Sequence, residues 1–286
     1  MLTFYLENFT GRSEFPFFVQ YGHHDHSLEM HEHGDFFELT IVLDGTALHN
    51  VSGESYFIKK GDVFGVSDGL YHSFSECHNF RICNIMFRPD VIFAPFPDLK
   101  HCPGFHSLFV VEPYLVREQK YKNRLRLSIN DFEEAQRLID RMIKEYQSCE
   151  SGFVSTVTAY FIELVSFLMR RYDGDMRDND EISTFSKAVA FMERNFTDKT
   201  TVEEIAGIAG MSVRHFQRQF KGTYRITPQD YITSLRMQRA MTQLTRTSDS
   251  ITSIALDCGY QDSSLFARRF RKYTGISPKE YRAKYK

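Results

Sequence analysis

Residues 250–281, SITSIALDCGYQDSSLFARRFRKYTGISPKEY, repeat a pattern that the chain has already used once. Gly210-Met211 corresponds to Gly259-Tyr260, Ser212 to Asp262, Phe216 to Phe266, Arg218 to Arg268, and Phe220-Lys221 to Phe270-Arg271. Ile205-Ala206 reappears as Ile254-Ala255, Thr227-Pro228 as Ser277-Pro278, and Tyr231 as Tyr281. The offset is 49 residues before the turn and 50 after it, Gln261 being the extra residue. In the second copy Ile251, Ile254 and Ala255 sit at helical spacing and Gly259 stops the segment. Asp262 or Ser263 then caps a helix in which Phe266 and Phe270 share one face, and Ser264, Arg268 and Arg271 another. A short helix, a glycine turn and a helix with a basic outer face make a helix-turn-helix, whose second helix suits a DNA major groove. Duplication at this level restricts the C-terminal third to an all-α domain with two such units.

The charge is divided accordingly. From Ser183 onward there are 18 Lys and Arg against 9 Asp and Glu, a net +9, whereas residues 1–182 carry −11. A basic C-terminal part on an acidic front predicts polyanion binding by the former alone.

The run GYQDSSLFARRFRKYTGISPKEYR resembles the AraC/XylS family of bacterial transcription regulators nearly throughout, and AGMSVRHFQRQFK resembles its first unit. That resemblance implies double-stranded DNA and RNA polymerase as partners and base contacts from the two second helices. In the first of these, capped by Ser212, Arg214, Gln217 and Arg218 fall at i, i+3 and i+4 on one outer face. Arginine can fork onto guanine O6/N7 and glutamine can pair with adenine N6/N7. His215 would reach phosphate or an adjacent base. In the second, Ser263 and Ser264 offer short readers beside Arg268. Lys221, Arg269, Arg271 and Lys272 would hold phosphates or serve as helix-face charges. A helix opened by Thr227-Pro228, with Ile232, Leu235 and Leu244 inward, would join the units and set two readers roughly one helical turn (~34 Å) apart.

The front half reads differently. FFELTIVL ends in Asp44-Gly45, LHNV leads to Ser52-Gly53, SYFI runs into Lys60-Gly61-Asp62, VFGV follows, then a loop, then RICNIMF. Short β-rich runs punctuated by glycine turns predict a barrel or jelly roll. His31-Glu-His33, Glu38, Gly45 and a Gly61 block closing on His72 resemble the two cupin motifs, with Ser67 where proline is usual and Glu76 where asparagine is usual. His31 and His33 share a face of an extended segment, and a kink at Gly34-Asp35 is needed to bring Glu38 to it. Three imidazoles and a carboxylate suit a divalent metal with open positions. They equally suit a metal-free effector pocket, the reading that the regulator resemblance favours, or a merely structural polar cluster. His23, His24 and His26 read as surface loop, and His49, His78, His101 and His106 as surface or rim. The order GDVFGVSDGLYHSF, ICNIMF and a helical pair is similar to L-rhamnose-responsive members of the family, which implies a carbohydrate effector.

Between the halves, Asn130 with Glu133 makes a capping box for a helix with Phe132, Ala135, Leu138, Ile139, Met142, Ile143 and Tyr146 on one face. After Ser151-Gly152 a second helix presents Val154, Val157, Phe161, Leu164, Val165, Leu168 and Met169. One face can pack on the barrel and the other can form a homodimer seam; an intramolecular hairpin would instead bury both. The expected division is a cupin-like sensing domain over 1–110, a helical dimerisation segment over 111–172, an acidic linker over 173–182 and the DNA-binding domain over 183–286. Five cysteines without a CxxC pair predict no disulfide framework. The polar N-terminus and the lack of an apolar run near ~18 residues predict a cytoplasmic protein without a membrane span. The function expected is a carbohydrate-responsive activator, not an enzyme. The alternatives are a metal-dependent cupin enzyme with a DNA-binding tail and a DNA-binding dimer that answers to no effector.

Overall fold

The computed structural model describes residues 2–117, 125–175 and 181–286. The chain forms two compact units, Met1–Ser183 and Thr184–Lys286.

The first unit contains one eight-stranded sheet: β1 (Leu2–Phe4), β2 (Phe17–His24), β3 (Leu28–His33), β4 (Phe37–Val51), β5 (Glu54–Lys59), β6 (Asp62–Val66), β7 (Tyr71–Phe87) and β8 (Leu125–Arg126). β4 and β7 run antiparallel along most of their length and form its spine. β3 and β2 pair with the two halves of β7, while β6 and β5 pair with the two halves of β4.

Two sequence expectations fail here. Asp44-Gly45 is not a turn, and the loop expected between VFGV and RICNIMF is confined to residues 67–70, because β4 and β7 are single long strands. The pairing register shifts between Val42 and Leu48, the mark of a β-bulge, which takes up residues that a turn would otherwise use. Gly45 sits there at φ +70°, and a Cβ on it would lie 2.1 Å from the Asn79 carbonyl oxygen. The Asp44 carboxylate accepts from the Gly45 N–H at 3.0 Å and from Arg81 at 2.6 Å, which fixes the bulge.

After the sheet come α1 (Pro89–Ile92), α2 (Pro103–His106), a π-helical turn over Ser107–Val111, and α3 (Glu112–Arg117). Pro113 has no N–H to give the carbonyl four residues back, and the widened turn stands directly before it. α4 (Ile129–Ser148) and α5 (Phe153–Asp175) form an antiparallel pair. Ser128, not Asn130, caps α4, its side chain accepting from the Asp131 N–H at 3.2 Å; the chain turns helical two residues earlier than the capping-box reading implies.

Ala135, Leu138, Ile139, Met142, Ile143 and Tyr146 are buried on α4, and Val157, Phe161, Leu164, Val165, Leu168 and Met169 on α5. Val154, expected on the inner face, is exposed in the first turn of α5. The buried face of α5 meets the sheet through Phe161, which packs edge-on against Phe17 and Phe87. A Cβ on Gly104 would lie 2.3 Å from the Met169 carbonyl oxygen, so α2 and α5 touch backbone to backbone.

By length and mean hydropathy (1.4 over Phe153–Gly174) α5 would be able to cross a membrane, contrary to the sequence expectation, although a third of that stretch is buried inside this unit. The first three residues assigned to the linker, Asp173 to Asp175, are the last of α5, and Glu181 opens the next helix; residues 176–180 lie outside the described part. Residues 118–124 of the expected helical segment lie outside it as well. All five cysteines are free thiols.

In the second unit α6 (Glu181–Asn195) leads into α7 (Val202–Ile208), α8 (Val213–Tyr224), α9 (Pro228–Arg246), α10 (Ile251–Asp257), α11 (Ser263–Thr274) and α12 (Pro278–Tyr285). Each helix from α7 onward starts on a Ser, Thr or Asp whose side chain accepts from a backbone N–H in the first turn. Phe216 and Phe220 of the first copy and Phe266 and Phe270 of the second are fully buried, which aims the opposite faces of α8 and α11 outward.

Candidate nucleic-acid interface and effector site

On α8 the Ser212 side chain accepts from the His215 N–H at 3.3 Å and fixes the helix start. With Phe216 and Phe220 inward, Arg214, Gln217, Arg218 and Lys221 are exposed and His215 is half-buried. On α11 the cap is Asp262, which accepts from Ser264 N–H at 2.8 Å and Leu265 N–H at 3.2 Å. Ser263 is the first helical residue rather than a cap, and it is half-buried. Ser264, Arg268, Arg269, Arg271 and Lys272 are exposed. Arg214, Arg218, Arg268, Arg271 and Lys272 form none of the salt bridges found among the described residues. Such cations are chemically suited to phosphate or to guanine edges.

The two copies are joined by more than α9. Ile232 and Leu244 are buried on it, Leu235 is half-buried, and Met237 and Ala240, which the spacing argument overlooked, are fully buried. Arg236, also on α9, donates from Nε to the Phe196 carbonyl at 2.6 Å and from a terminal nitrogen to the Asp198 carbonyl at 3.0 Å. Its guanidinium lies 5.4 Å from the Tyr260 ring centre. One side chain thus ties the loop before α7 to the turn of the second copy. Lys286, fifty residues on, repeats the first half of this by donating to the Thr247 carbonyl at 2.7 Å.

In the first unit His31, His33, Glu38 and His72 come together, each with 5% or less of its surface exposed. The chain bends between the end of β3 at His33 and the start of β4 at Phe37, which carries Glu38 to the histidine face. Glu38 Oε2 lies 3.2 Å from His33 Nε2, and His33 Nε2 lies 3.1 Å from His72 Nε2. The ligand-capable atoms of the three histidines all fall within 4.8 Å of one another.

Tautomers follow from the outer contacts. His31 Nδ1 donates to the Glu29 carbonyl at 2.9 Å, leaving its Nε2 lone pair free. His72 Nδ1 lies 3.3 Å from His49 Nε2, and donating there leaves the His72 Nε2 lone pair facing His33. The single hydrogen on His33 Nε2 then faces both that lone pair and the Glu38 carboxylate. His33 Nδ1 is buried with no hydrogen-bond partner, under Phe36 stacked at 4.3 Å.

Burial holds His31 below the usual histidine value and His72 well below it, neighbouring histidines adding to the effect on His72. Burial pushes Glu38 up, but the His33 hydrogen bond and charge, the Thr40 hydroxyl and His31 outweigh it and leave the carboxyl below its ordinary value. At neutral pH the cluster therefore sets the Glu38 carboxylate beside the neutral imidazoles of His31 and His72. Thr40 Oγ1 lies 2.9 Å from Glu38 Oε1 and 3.2 Å from the Asn84 side-chain amide; its one proton goes to the carboxylate, which leaves its lone pairs to accept from that amide.

Sequence reasoning missed two histidines. His49, expected at the surface or rim, is buried, with Phe64 and Phe74 rings at 4.6 and 5.0 Å. It stands an odd number of residues from Glu38, and only the bulge in β4 brings both to the inner side. His106 is also buried, its Nε2 donating to the Lys100 carbonyl at 2.7 Å, and burial drives its value down to about 3. His23, His26 and His78 are exposed; His24 and His101 are half-buried.

Comparison with known proteins adds the family. Residues 205–284 match the helix-turn-helix domain and residues 15–146 the AraC-like ligand binding domain. The HTH-type transcriptional activator RhaS of Enterobacter sp. (strain 638) is 28% identical over 251 residues, 87% of this chain and 86% of that protein. The HTH-type transcriptional activator RhaR of Mannheimia succiniciproducens is 25% identical over 272 residues, 95% and 93% of the two chains. A solved transcriptional regulator from Chromobacterium violaceum with an AraC-type DNA-binding domain is 35% identical, covering 35% of this chain and 89% of that one, with a TM-score of 0.33.

Proposed function

This chain belongs to the AraC-type transcription regulators, with an AraC-like ligand-binding domain in front of a DNA-binding helix-turn-helix domain, and we propose that it activates carbohydrate-use genes in response to a sugar. The observation that carries the DNA half is the repeated exposed basic face of α8 and α11, each backed by two buried phenylalanines. The relatives named as transcriptional activators support the sign of regulation, and the likeness to rhamnose-responsive members supports the effector class. In this reading the protein works in the cytoplasm as a homodimer with RNA polymerase recruited beside it; the apolar faces of α4 and α5 are buried within the unit, as in the intramolecular hairpin, so the seam must use other residues. His31, His33, Glu38 and His72 form the polar floor of the effector site. Effector binding must favour one of two states for the response to occur.

The test is a reporter driven by the promoter beside the gene, with L-rhamnose and other hexoses supplied in turn. Induction by one sugar that disappears with the gene is the expected result. A footprint and a reporter output indifferent to every sugar would instead assign the protein to effector-independent binding.

One observation favours a metal at the floor. His31 and His72 both spend Nδ1–H outward and keep their Nε2 lone pairs inward, the arrangement that metal-bound histidines adopt. Two nitrogens on one tetrahedral zinc, each at ~2.0–2.1 Å, stand about 3.4 Å apart, close to the His33–His72 spacing. A divalent ion held by His31, His33 and His72 with Glu38 alongside would also require the His33 proton to move from Nε2 to Nδ1, which is buried without a hydrogen-bond partner. Such an ion would supply a Lewis acid for an effector hydroxyl. Metal analysis of the protein and of the His31→Ala, His72→Ala double variant decides this: one equivalent in the first and none in the second supports it, and none in either rejects it.

A further inference from the structure

α8 and α11 are built on one frame. Each has twelve residues, each is preceded by a side-chain cap (Ser212, Asp262), and each buries a phenylalanine at its fourth and eighth positions, Phe216 and Phe220 in the first, Phe266 and Phe270 in the second. Equal lengths, caps and buried positions give each residue of α8 and the residue fifty further on in α11 the same direction from the helix axis. What one helix presents to a groove, the other presents at the matching place.

The side chains presented are not alike. At the second, third, fifth and sixth positions α8 carries Arg214, His215, Gln217 and Arg218, and α11 carries Ser264, Leu265, Ala267 and Arg268. Gln217 and both sixth-position arginines are exposed, and Ala267 is half-buried. Of these four positions only the sixth keeps its residue. The change from Gln217 to Ala267 has the clearest chemical consequence, because each stands beside that shared arginine. A glutamine amide donates and accepts at once, and so selects adenine through N6 and N7. Alanine has no hydrogen-bonding group and ends in one methyl. Among the bases only thymine offers an apolar group in the major groove, its C5 methyl, and alanine packs against it. Against any other base edge the alanine methyl would cover a donor or acceptor without replacing its hydrogen bond, which costs free energy. Ser264 and Leu265 bring no long donor to stand in for the missing amide.

We propose that Ala267 is a specificity-determining residue that reads the 5-methyl group of a thymine. The half-site under α11 then sets a thymine beside the guanine of Arg268, where the half-site under α8 sets an adenine beside the guanine of Arg218. The operator is chemically asymmetric, read by hydrogen bonds at one end and partly by an apolar contact at the other. The proposal rests on the DNA-binding reading above and concerns the base that one residue selects.

The experiment uses the full chain. Duplexes with a random segment are selected by binding, and the preferred sequence is remade with each thymine replaced in turn by deoxyuridine, which lacks only the methyl. Wild type should lose affinity about fourfold at one thymine, the worth of one buried methyl group, and Ala267→Gly should bind the two duplexes alike. The ratio is taken within each protein, so a loss of helix stability in the glycine variant cancels. Ala267→Gln restores the amide of the first reader and should change the preferred base at that same position from thymine to adenine, leaving the other half-site as it was. Equal binding of every deoxyuridine duplex by wild type, or the same loss in wild type and Ala267→Gly, would overturn the proposal and leave DNA binding intact. An Ala267→Gln protein that keeps the wild-type preference would overturn it as well. A wild-type protein that enriches no sequence overturns sequence-specific binding and the proposal together.

Discussion

Gly259 stands against the Thr197 carbonyl so closely that a Cβ there would lie 2.2 Å from the oxygen, at a backbone φ of +80°. Its counterpart in the first copy, Gly210, has φ +65°, and a Cβ there would meet nothing within 4 Å. The repeats share the turn conformation but only the second turn is pressed against another segment. Gly210→Ala should therefore cost only the left-handed backbone penalty, ~1–2 kcal/mol. Gly259→Ala should cost more, because the loop at Thr197 must retreat. Thermal unfolding of the two variants compares them directly, and equal losses would show that the contact at Thr197 is slack.

Arg236 spans the same junction with two carbonyl hydrogen bonds and the Tyr260 ring. Arg236→Met should keep the stem packing and lose the bonds, each worth ~1.5–3 kcal/mol when the donor is charged. The specific outcome concerns spacing. Wild type should discriminate sharply against operators in which one base pair is inserted between the two half-sites, and the variant should discriminate less. Gel-shift titrations on the two operators measure this, and an unchanged ratio would mean that α9 alone sets the distance.

Among the exposed residues of α8 and α11, base readers and phosphate holders separate by what their loss does. Arg214→Ala and Arg218→Ala should each cost about 1–3 kcal/mol and relax preference at one position. Ser263→Ala should cost less, in keeping with its half-buried place at the first helical position. Lys221→Ala and Lys272→Ala should weaken every sequence alike and reduce the salt slope by about one. A larger loss from Ser263 than from Arg214 would reverse the ranking.

Acid should destabilise the first unit earlier than carboxylates alone would. His106 takes up a proton at about 3 when folded and near 6.5 when unfolded. Between these values the unfolded chain holds the extra proton, so stability falls as pH drops, by up to ~1.4 kcal/mol per pH unit for one such group. His72, also held down by burial, acts with the same sign. His106→Gln can still donate to the Lys100 carbonyl and should flatten the fall in urea midpoint between pH 7 and pH 5. An identical slope in variant and wild type would show that His106 is reached by solvent.

How much of this was legible depends on whether the signal is local. The starts of helices at Ser212 and Thr227, the inward phenylalanines and the outward arginines all follow from spacing within one or two helical turns, and the duplication supplied a second reading of each. The grouping of His31, His33, Glu38 and His72 was legible from motif order. His49 was not, because its facing depends on a bulge fixed by Arg81, far along the chain. His106 was not, because its burial comes from α2 lying against α5 at Gly104, a contact between segments with no shared periodicity. The start of α4 was misplaced by two residues because Asn130 and Ser128 are both chemically able to cap.

The bulge at Asp44–Gly45 acts as a phase shift along β4. Side chains before it and after it obey opposite parity, which is why an even-numbered glutamate and an odd-numbered histidine share one interior. Removing a single residue there would turn the far half of the strand inside out, presenting His49 and Val51 to water and driving Leu48 and Asn50 inward, while leaving the near half untouched. Insertions and deletions in this hairpin are therefore compatible with the same interior only in pairs.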